Sequence, residues 1–546
     1  MLTLGIDFGT TNCSAAVMRA GQMELVPLEN GSTVLPSMLC ITRDKEILFG
    51  RCAIRCYLEL TRNIPIRYKF TDLRALTSSF ANEIALEDTI SSEHGLVIVS
   101  NAGEDEDLDT PARLFQSLKT GLRDVTLQGT TVYGTYYATE ELIALVLRHI
   151  REQAEVYLGE PVRAAVIGRP VTYAQARPEL TSDAELIDRT AHERMLVAAR
   201  LAGMEYGALE FEPVAALRHL RRYMSAGGRA LVFDFGGGTL DLALANVPPQ
   251  GTPDILTTSG LLIGGDDFDS AIMQHFILKH FGADTTLTEK ELPFPPNLLE
   301  PLLHWQAIPL LATPANAAHL AVIQRQSNSP QVVANLRTLI HQGLGFELFL
   351  AIESAKIRLS DTAETDLAFN ERGLQLHEHL TRAGFVTAIS EYLERIEREV
   401  LRLLEQSKTA PERVDRVLMT GGSSLVPIVQ AIIKRIFGAD KVLVADPFTS
   451  IATGLGVVAA EDDVCQPVAD VVSQATEQRL QAEAVTIGET VAFQRGHQTV
   501  QGLVVRRAGG RLHDAILVIE FWDAETEEFV STMRHETKVK RLVSQG

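Results

Sequence analysis

Two distant segments of the chain share one pattern, and this repetition constrains the fold more than any other feature. Each consists of an apolar strand, an Asp, a Gly-containing turn with Thr and a second apolar strand, over residues 2–17 and 230–245. The turns read DFGTT from Asp7 and DFGGGT from Asp234, and they lie much further apart than the period of any solenoid repeat. The pattern therefore predicts two large related lobes. Because both turns join strands, neither is the strand-to-helix glycine loop of a dinucleotide fold or a P-loop.

Helices and strands are predicted to alternate between and beyond the two hairpins. Apolar residues at helical spacing predict a helix over 139–158, and a strand follows at 163–167. Further along, 385–404 is predicted to be one long amphipathic helix, 416–419 a strand, and 445–460 a turn that leads into a helix of small residues. This alternation is typical of an α/β layer fold.

Composition narrows the class of protein. The 546 residues are 46% apolar and carry a net charge of −20, which excludes fibrous and wholly disordered classes and argues against binding to nucleic acid or membrane surfaces. Five scattered cysteines favour a reducing compartment. We find no secretory signal pattern and no apolar stretch of about twenty residues, so we expect a cytoplasmic protein.

Three stretches depart from the α/β pattern. The acidic segment 101–110 is predicted to be a surface loop, and the proline-containing segment 289–335 an insertion that packs on the second lobe. A polar helix at about 463–484 is expected to lead into a small sheet or barrel that starts near residue 489.

The two glycine turns are suited to binding a phosphate chain. Glycine leaves backbone N–H groups unobstructed, and Thr10, Thr11 and Thr239 add hydroxyl groups. Asp7 and Asp234 supply two carboxylates that can hold Mg²⁺ through water, because this ion usually keeps several of its waters. The sequence thus predicts a two-sided phosphate clamp.

Two further glycine turns are ambiguous from spacing alone. Gly264 and Gly265 open a predicted helix, whose N-terminus is either an anion site or an ordinary cap in which Asp266 satisfies the first amides. The second turn contains Gly421, Gly422 and Ser423.

The order of these motifs resembles that of the DnaK-type heat-shock chaperones. The matching segments, in chain order, are DFGTTN, EPVAAL, DFGGGTLD, GGDDFD, ESAKIRLS, LMTGGSSLVP and SIATGLG. The resemblance covers about residues 1–460, and details such as VIGRPV are most similar to the YegD group, whose members consist largely of the nucleotide-binding domain.

The resemblance implies a two-lobed actin-like (ribonuclease H-like) ATPase fold of the α/β class with a small C-terminal β-rich module. The implied domains are lobe I at 1–229, lobe II at 230–460 with a return to lobe I near its end, a helical linker at 461–486 and the β module at 487–546.

The resemblance also implies roles for individual residues. Asp7 and Asp234 would surround Mg²⁺, and Asp234, Glu212 and Asp241 would lie near the hydrolytic water. Lys119 is the candidate for the lysine beside the γ-phosphate, with a surface lysine as the alternative. The residues implied to bind the nucleotide are Asp7, Gly9, Thr10, Thr11, Gly236, Gly237, Gly238, Thr239, Gly264, Gly265, Glu353, Lys356, Ser360, Gly421, Gly422 and Ser423.

The sequence departs from the family pattern where the purine would bind. Ile357 and Leu425 stand in place of two arginines, and Phe448 in place of an acidic residue. Losing two cation–π contacts removes roughly 0.5–2 kcal/mol each, so we expect weaker or less selective adenine binding.

The C-terminal end departs as well. Residues 461–472 lack the leucine-rich linker of the chaperones, and the remaining chain is too short for their peptide-binding domain and lid, so client binding by that clamp is not expected. Phe493, Phe521, Trp522 and Phe529 either form the core of the β module or present a docking surface to an unknown protein partner.

We therefore expect a cytoplasmic protein that binds ATP with Mg²⁺, hydrolyses it slowly and signals through closure of its lobes. A kinase that transfers phosphate to a small molecule, with Asp241 or Glu212 as base, is the first alternative. A nucleotide-binding assembly module without hydrolysis is the second.

Overall fold

The structure is a computed structural model. It describes residues 2–61, 111–123, 129–133, 135–171, 173, 181–221, 224–287, 292–444, 446, 448–461, 464–468, 490–495, 498–508, 516–523, 528–535 and 539–541. The segment 101–110, predicted to be a surface loop, lies outside these ranges.

Among the described residues up to 261, the elements are mostly short strands, with four α-helices. They are Thr3–Phe8 (β1), Asn12–Arg19 (β2), Gln22–Leu25 (β3), Val34–Pro36 (β4), Met38–Thr42 (β5), Ile47–Phe49 (β6), Gly50–Thr61 (α1), Ala112–Gln116 (β7), Gly129–Val132 (β8), Thr135–Ala138 (β9), Thr139–Leu158 (α2), Ala164–Arg169 (β10), Thr181–Leu201 (α3), Tyr206–Phe211 (β11), Glu212–Leu220 (α4), Gly228–Phe235 (β12), Leu240–Val247 (β13) and Asp254–Leu261 (β14).

The remaining elements are richer in helix until the C-terminal sheet. They are Gly265–Ile272 (α5), Thr286–Leu287 (β15), Leu292–Pro293 (β16), Pro296–Leu299 (α6), Pro314–Gln326 (α7), Pro330–His341 (α8), Gly345–Asp361 (α9), Glu364–Glu371 (β17), Leu374–Thr381 (β18), Arg382–Ala388 (α10), Ser390–Gln406 (α11), Arg416–Thr420 (β19), Pro427–Phe437 (α12), Val442–Val444 (β20), Ser450–Ala459 (α13), Gln466–Pro467 (β21), Thr490–Arg495 (β22), Gln498–Ala508 (β23), Ile516–Asp523 (β24), Glu528–His535 (β25) and Val539–Arg541 (β26).

Two sheets with the same internal arrangement form the framework. In the first, β1, β2 and β3 run antiparallel, and β10 and β11 join the other side of β1 as parallel strands. In the second, β12, β13 and β14 repeat the antiparallel unit, and β19 and β20 are parallel to β12. The two predicted hairpins are therefore the central units of two equivalent sheets, which confirms the predicted two-lobed α/β fold.

A helix of small residues joins the two sheets. In α13, a Cβ on Gly454 would lie 1.9 Å from the Ala215 carbonyl oxygen of α4, and a Cβ on Gly5 of β1 would lie 2.1 Å from the Gly456 nitrogen. A single apolar cluster holds residues of β10, β12, β19, α4 and α13. Glycine thus permits the backbone contacts that bring the hairpins of both sheets together.

A second apolar cluster connects the outer parts of the lobes. Phe346 of α9 is 4% exposed and packs with Cys40 of β5, Ala53 of α1 and Leu114 of β7. Trp305 packs on Phe346 at 4.8 Å between ring centroids and donates its indole N–H to Gln116 at 3.0 Å. We call this contact between the lobes the outer cluster.

Most local predictions agree with the structure. The helix 139–158 is confirmed, and its ends have local causes, because Glu141 accepts the Ala138 N–H at 2.9 Å and Gly159 closes the last turn with a φ of 74°. The strands β10 and β19 and the helix α13 are confirmed. The described part of the segment 289–335, from residue 292 onward, packs on the second lobe as expected, through residues such as Leu298 and Val333.

Two helix predictions are corrected. The region 385–404 is not one helix, because α10 ends before Ile389 and α11 begins after it; Ile389 is fully buried and has φ −100° and ψ 9°. The polar helix does not begin at 463, because Gln466–Pro467 pairs with the edge of β11 and Val468 is buried beside it. In both places tertiary packing overrides the helical pattern. Residues 469–489 lie outside the described ranges.

The predicted C-terminal sheet is present as five antiparallel strands in the order β25, β24, β23, β22, β26. Phe521 is buried, whereas the side chains of Phe493, Trp522 and Phe529 fall outside the description. Among the described residues, none of the helices combines the length and the apolar character that a transmembrane span requires.

Candidate functional site

The turns of the two hairpins touch each other. A Cβ placed on Gly237 would lie 2.0 Å from the Thr11 hydroxyl oxygen, and one on Gly238 would lie 3.4 Å from the Thr10 methyl carbon. At Gly237 a side chain would require the Thr11 hydroxyl to move, since a real Cβ essentially never lies within 3.0 Å of another heavy atom, whereas the distance at Gly238 is ordinary van der Waals contact. The sequence motif is therefore a three-dimensional contact between the lobes.

Each turn is closed by its own hydrogen bond. Gly9 N–H donates to the Asn12 carbonyl at 3.1 Å, and Gly236 N–H donates to the Thr239 carbonyl at 2.9 Å. Within the described ranges, the N–H groups of the residues between these ends, Thr10, Thr11, Gly237 and Gly238, have no protein acceptor. The Thr11 hydroxyl is buried and likewise has no partner there. A set of unused donors in an accessible cleft is suited to an oxyanion ligand.

A cavity of about 530 Å³ lies around the two turns. The predicted site residues that line it are Asp7, Gly9, Thr10, Thr11, Lys119, Glu212, Asp234, Gly236, Gly237, Thr239, Gly265, Glu353, Lys356, Ser360, Gly421, Gly422 and Ser423. Three others, Gly238, Asp241 and Gly264, are not among the lining residues. Asp241 is 1% exposed and accepts the Val171 N–H at 2.7 Å, so it lies behind the cavity wall.

Carboxyl groups are concentrated at the floor of the cavity. Burial, followed by the charge of Glu212, raises the pKa of Asp7 to about 8. The same two causes raise the pKa of Asp234 well above its usual value and that of Asp241 to about 7. The site therefore retains protons that a bound cation would displace.

Lys119 is the counter-charge to these carboxyl groups. It is 6% exposed and forms an ion pair with Glu212, so the alternative of a surface lysine is wrong. Burial alone would lower the pKa of Lys119, but the charges of Glu212 and Asp7 outweigh it and raise that pKa. The ammonium is thus held charged at the cavity floor.

The turn at Gly264 and Gly265 packs the start of α5 against the second hairpin. Gly265 and Asp266 donate their N–H groups to the carbonyls of Gly236 and Gly237 at 3.0 and 2.9 Å. The cap is Asp267, which accepts the Gly264 N–H at 2.7 Å, and not Asp266 as proposed from the sequence. This helix start therefore supports the hairpin, and Asp266 lines the cavity.

Sequence reasoning missed several lining residues: Asn12, Thr120, Pro170, Tyr173, Leu262, Asp266, Val426 and Ile451. Tyr173 is 3% exposed, its hydroxyl has no partner in the described ranges, and burial raises its pKa to about 12. Pro170 and Tyr173 directly follow β10, and residues beyond the carboxyl ends of parallel strands commonly line ligand crevices. The position of these two residues after a predicted strand was the signal in the sequence that could have identified them.

The described residues contain no group of three or more His, Cys, Asp or Glu side chains arranged to hold a metal ion. Asp7 and Asp234 nevertheless suit an ion that takes few protein ligands and retains water, as Mg²⁺ does.

The fold and the site together define a two-lobed ATPase fold of the actin-like class. The sequence model of the family described as "Hsp70 protein" matches residues 3–77, 110–292 and 346–475. The chain belongs to the Hsp70 family. The unmatched stretch between the last two ranges contains α6, α7 and α8, the insertion predicted from the sequence.

Several chaperones are similar to the chain over most of its length. "Chaperone protein DnaK" of Prochlorococcus marinus is 27% identical over 469 residues, which are 84% of this chain and 59% of that protein. "Chaperone protein dnaK" of Guillardia theta is 26% identical over 463 residues, with the same two shares. "Chaperone protein dnaK3" of Synechococcus elongatus is 27% identical over 463 residues, 84% of this chain and 49% of the relative. The chain thus spans between 49% and 59% of the length of these relatives.

Proposed function

We propose that the protein binds ATP with Mg²⁺ in the cavity between the two hairpins, hydrolyses it slowly and closes its lobes on the nucleotide. The observation that carries this proposal is the contact between the two turns, with unused N–H groups and carboxylates from both sheets around one cavity. The dimensions suit a nucleotide, since small-molecule sites usually measure roughly 300–1,000 Å³.

The chain's own groups have distinct roles in this proposal. The amides and hydroxyls of Thr10, Thr11 and Gly237 bind phosphate oxygens, and Lys119 neutralises charge that develops on the transferred phosphoryl group. Glu212 holds Lys119 in place and, with Asp234, orients the attacking water. Asp241, behind the wall, fixes the loop after β10 through the Val171 N–H.

Asp7 and Asp234 are the residues that would hold Mg²⁺; burial, followed by the negative charge of Glu212, raises the pKa values of both carboxyl groups, which supports a site that accepts a cation. When bound, the ion supplies charge neutralisation at the phosphates. Both carboxyl groups must release their protons for this, which the charge of Lys119 assists.

The wider assignment extends the same proposal. We propose lobes at 1–229 and 230–460, a linker at 461–486 and a β module at 487–546 that contacts a protein partner. We further propose that the protein is cytoplasmic and that it is related to the YegD-like group. The five cysteines are free in the structure, which supports a reducing compartment.

Phosphate release by the purified chain, with and without small-molecule acceptors, tests the proposal. We expect free phosphate that requires Mg²⁺ and no acceptor. Acceptor-dependent product would instead identify a kinase, and binding without release would identify an assembly module.

The matched variants Lys119→Met and Lys279→Met sharpen the test. Both lysines form an ion pair, but Lys279 is 45% exposed and contacts Glu378 away from the cavity. We expect Lys119→Met to reduce release about a hundredfold or more, since one group that stabilises transition-state charge contributes roughly 10²–10³. Lys279→Met should leave release unchanged; equal losses in both would contradict the role of Lys119.

A further inference from the structure

One end of the cavity is lined by apolar side chains that the core does not cover. Ile357, Leu425 and Phe448 are 57%, 39% and 38% exposed, although all three line the cavity. They come from three different elements, α9, the turn before α12 and the loop before α13. Side chains this exposed contribute little to the core, so their contacts are available to a ligand.

Hydrogen bonds fix the backbone of Phe448 on both sides. The hydroxyl of Ser14, a residue that is 1% exposed, donates to the Phe448 carbonyl at 2.7 Å. Asp446 accepts the N–H groups of Phe448 and Thr449 at 2.9 and 3.0 Å. The ring carbon Cε1 would lie 3.6 Å from a Cβ on Gly422, so the ring stands beside the glycine turn. A ring whose backbone is anchored on both sides loses little entropy when a ligand stacks on it.

The polar groups nearby are largely committed to the protein. The Ser423 hydroxyl donates to the Gly236 carbonyl at 2.7 Å. The Lys356 ammonium donates to the Gly265 carbonyl at 2.9 Å and to Asp269 at 2.7 Å. A base that enters this end therefore meets apolar surface and few fixed donors or acceptors.

Glu353 and Ser360 are the remaining polar side chains of α9 at this end, four residues before and three after Ile357. A hydroxyl can both donate and accept, and a carboxylate accepts from an amino group on either purine. Neither group distinguishes adenine from guanine by itself.

We propose that Phe448 is the aromatic platform for the nucleobase and that the site recognises a flat purine without discriminating adenine from guanine. This inference rests on the proposed function, because it assumes a nucleotide in this cavity. Dispersion and stacking on Phe448, with Ile357 and Leu425 beside it, replace recognition by charged side chains.

Calorimetric titration of the full chain in the presence of Mg²⁺ tests the inference. The ligands are ATP, GTP and inorganic tripolyphosphate, and the variants are Phe448→Ala, Phe448→Tyr and the control Val444→Ala. Val444 is 42% exposed in β20 and does not line the cavity. Base stacking on an aromatic side chain typically contributes enough binding free energy that Phe448→Ala should lower the affinity for ATP and GTP roughly ten- to a hundredfold.

We expect the dissociation constants of ATP and GTP for the unmodified chain to lie within about threefold of each other. Phe448→Tyr and Val444→Ala should keep these affinities. The affinity for tripolyphosphate should be the same in every variant. Unchanged ATP affinity in Phe448→Ala, equal weakening of tripolyphosphate, or a tenfold preference for ATP would overturn the inference while the nucleotide site survives. If neither nucleotide nor tripolyphosphate binds the unmodified chain, the proposed function fails together with the inference.

Discussion

At the residue scale, the cavity floor concentrates negative charge that the folded chain by itself does not balance. Asp7, Glu212 and Asp234 line one cavity, and the single ammonium of Lys119 contacts Glu212. Burial and mutual repulsion raise the pKa values of Asp7 and Asp234, so these residues oppose folding when they are ionised. This conflict between stability and ligand binding is a common property of functional sites.

The raised pKa of Asp7 gives a pH-dependent prediction. The folded carboxyl keeps a proton that the unfolded chain releases near its usual pKa of about 3.9, so this group lowers stability as the pH rises from about 4 to about 8. Asp7→Asn should therefore raise the melting temperature of the ligand-free protein by a few degrees at pH 8, with a smaller gain at pH 6. The same variant should lose the stabilisation by Mg²⁺ and ATP. Differential scanning calorimetry at both pH values measures these effects.

The control for this prediction is Asp44→Asn. Asp44 is an exposed residue between β5 and β6 and does not line the cavity. Its replacement should leave the melting temperature unchanged at both pH values. A lower melting temperature of Asp7→Asn at pH 8 would show that Asp7 stabilises the empty site, contrary to its raised pKa.

At the element scale, the helix α13 determines how closely the two hairpins approach. Its glycines allow backbone contact with α4 and β1, and its neighbours Ile451 and Leu455 belong to the apolar cluster between the sheets. A helix of bulkier residues at this place would separate the sheets and with them the two phosphate-binding turns. Small side chains in α13 are thus a condition for the site.

Gly454→Ala tests this role of α13. The new Cβ would lie 1.9 Å from the Ala215 carbonyl oxygen, which belongs to backbone and cannot rotate away. Gly456→Ala is a matched control in the same helix, because its Cβ would lie 2.7 Å from the flexible sulfur of Met23 and at a less severe 3.2 Å from the Ala16 Cβ. Both variants gain the helix propensity of alanine, worth about 1 kcal/mol.

We expect Gly454→Ala to lower the free energy of unfolding by about 1–3 kcal/mol through overpacking, and Gly456→Ala to change it by less. Denaturation in urea, followed by circular dichroism, measures both values. An unchanged free energy of unfolding in Gly454→Ala would mean that α13 and α4 can move apart at no cost in stability.

At the scale of the whole molecule, two apolar clusters connect the lobes at different distances from the cavity. The cluster around α13 lies between the two sheets, and the outer cluster joins the outer strands of the first lobe to α9 and the insertion of the second. If the lobes open and close on the nucleotide as proposed, opening the outer side of the cavity would separate Phe346 and Trp305 from their partners. On that proposal, the outer cluster would stabilise the closed arrangement of the lobes.

Phe346→Ala should speed the release of bound nucleotide. Removing a buried phenylalanine typically costs about 3–5 kcal/mol, and a loss of about 1.4 kcal/mol from the closed arrangement alone gives a tenfold faster release. Stopped-flow displacement of a fluorescent ATP analogue measures the rate. The control Phe437→Ala removes an equally buried ring from α12, within the second lobe only. Similar release rates in both variants would exclude a specific effect of the outer cluster.

The sequence predicted well those features whose cause is local. The hairpin at Asp7 follows from apolar strands on either side of a glycine turn, and the helix 139–158 from its periodicity and the glycine at its end. The prediction of one helix over 385–404 was wrong at Ile389, because burial of one side chain in the second lobe leaves no signal in the helical pattern. Tyr173 was missed although its position after β10 was a signal, since only the folded chain shows that the end of β10 lies at the cavity.

The two hairpins, their equivalence and the residue types that a phosphate ligand requires could be predicted from the amino-acid sequence, because short-range sterics and apolar periodicity fix these properties. The folded chain was needed to show that Thr11 contacts Gly237, that Lys119 is buried against Glu212 and that Asp241 lies behind the cavity wall. Each of these contacts joins residues distant in the chain. The contacts of Gly237 and Asp241 with the first lobe depend on how the two sheets pack together, and the packing of many side chains at once sets that geometry.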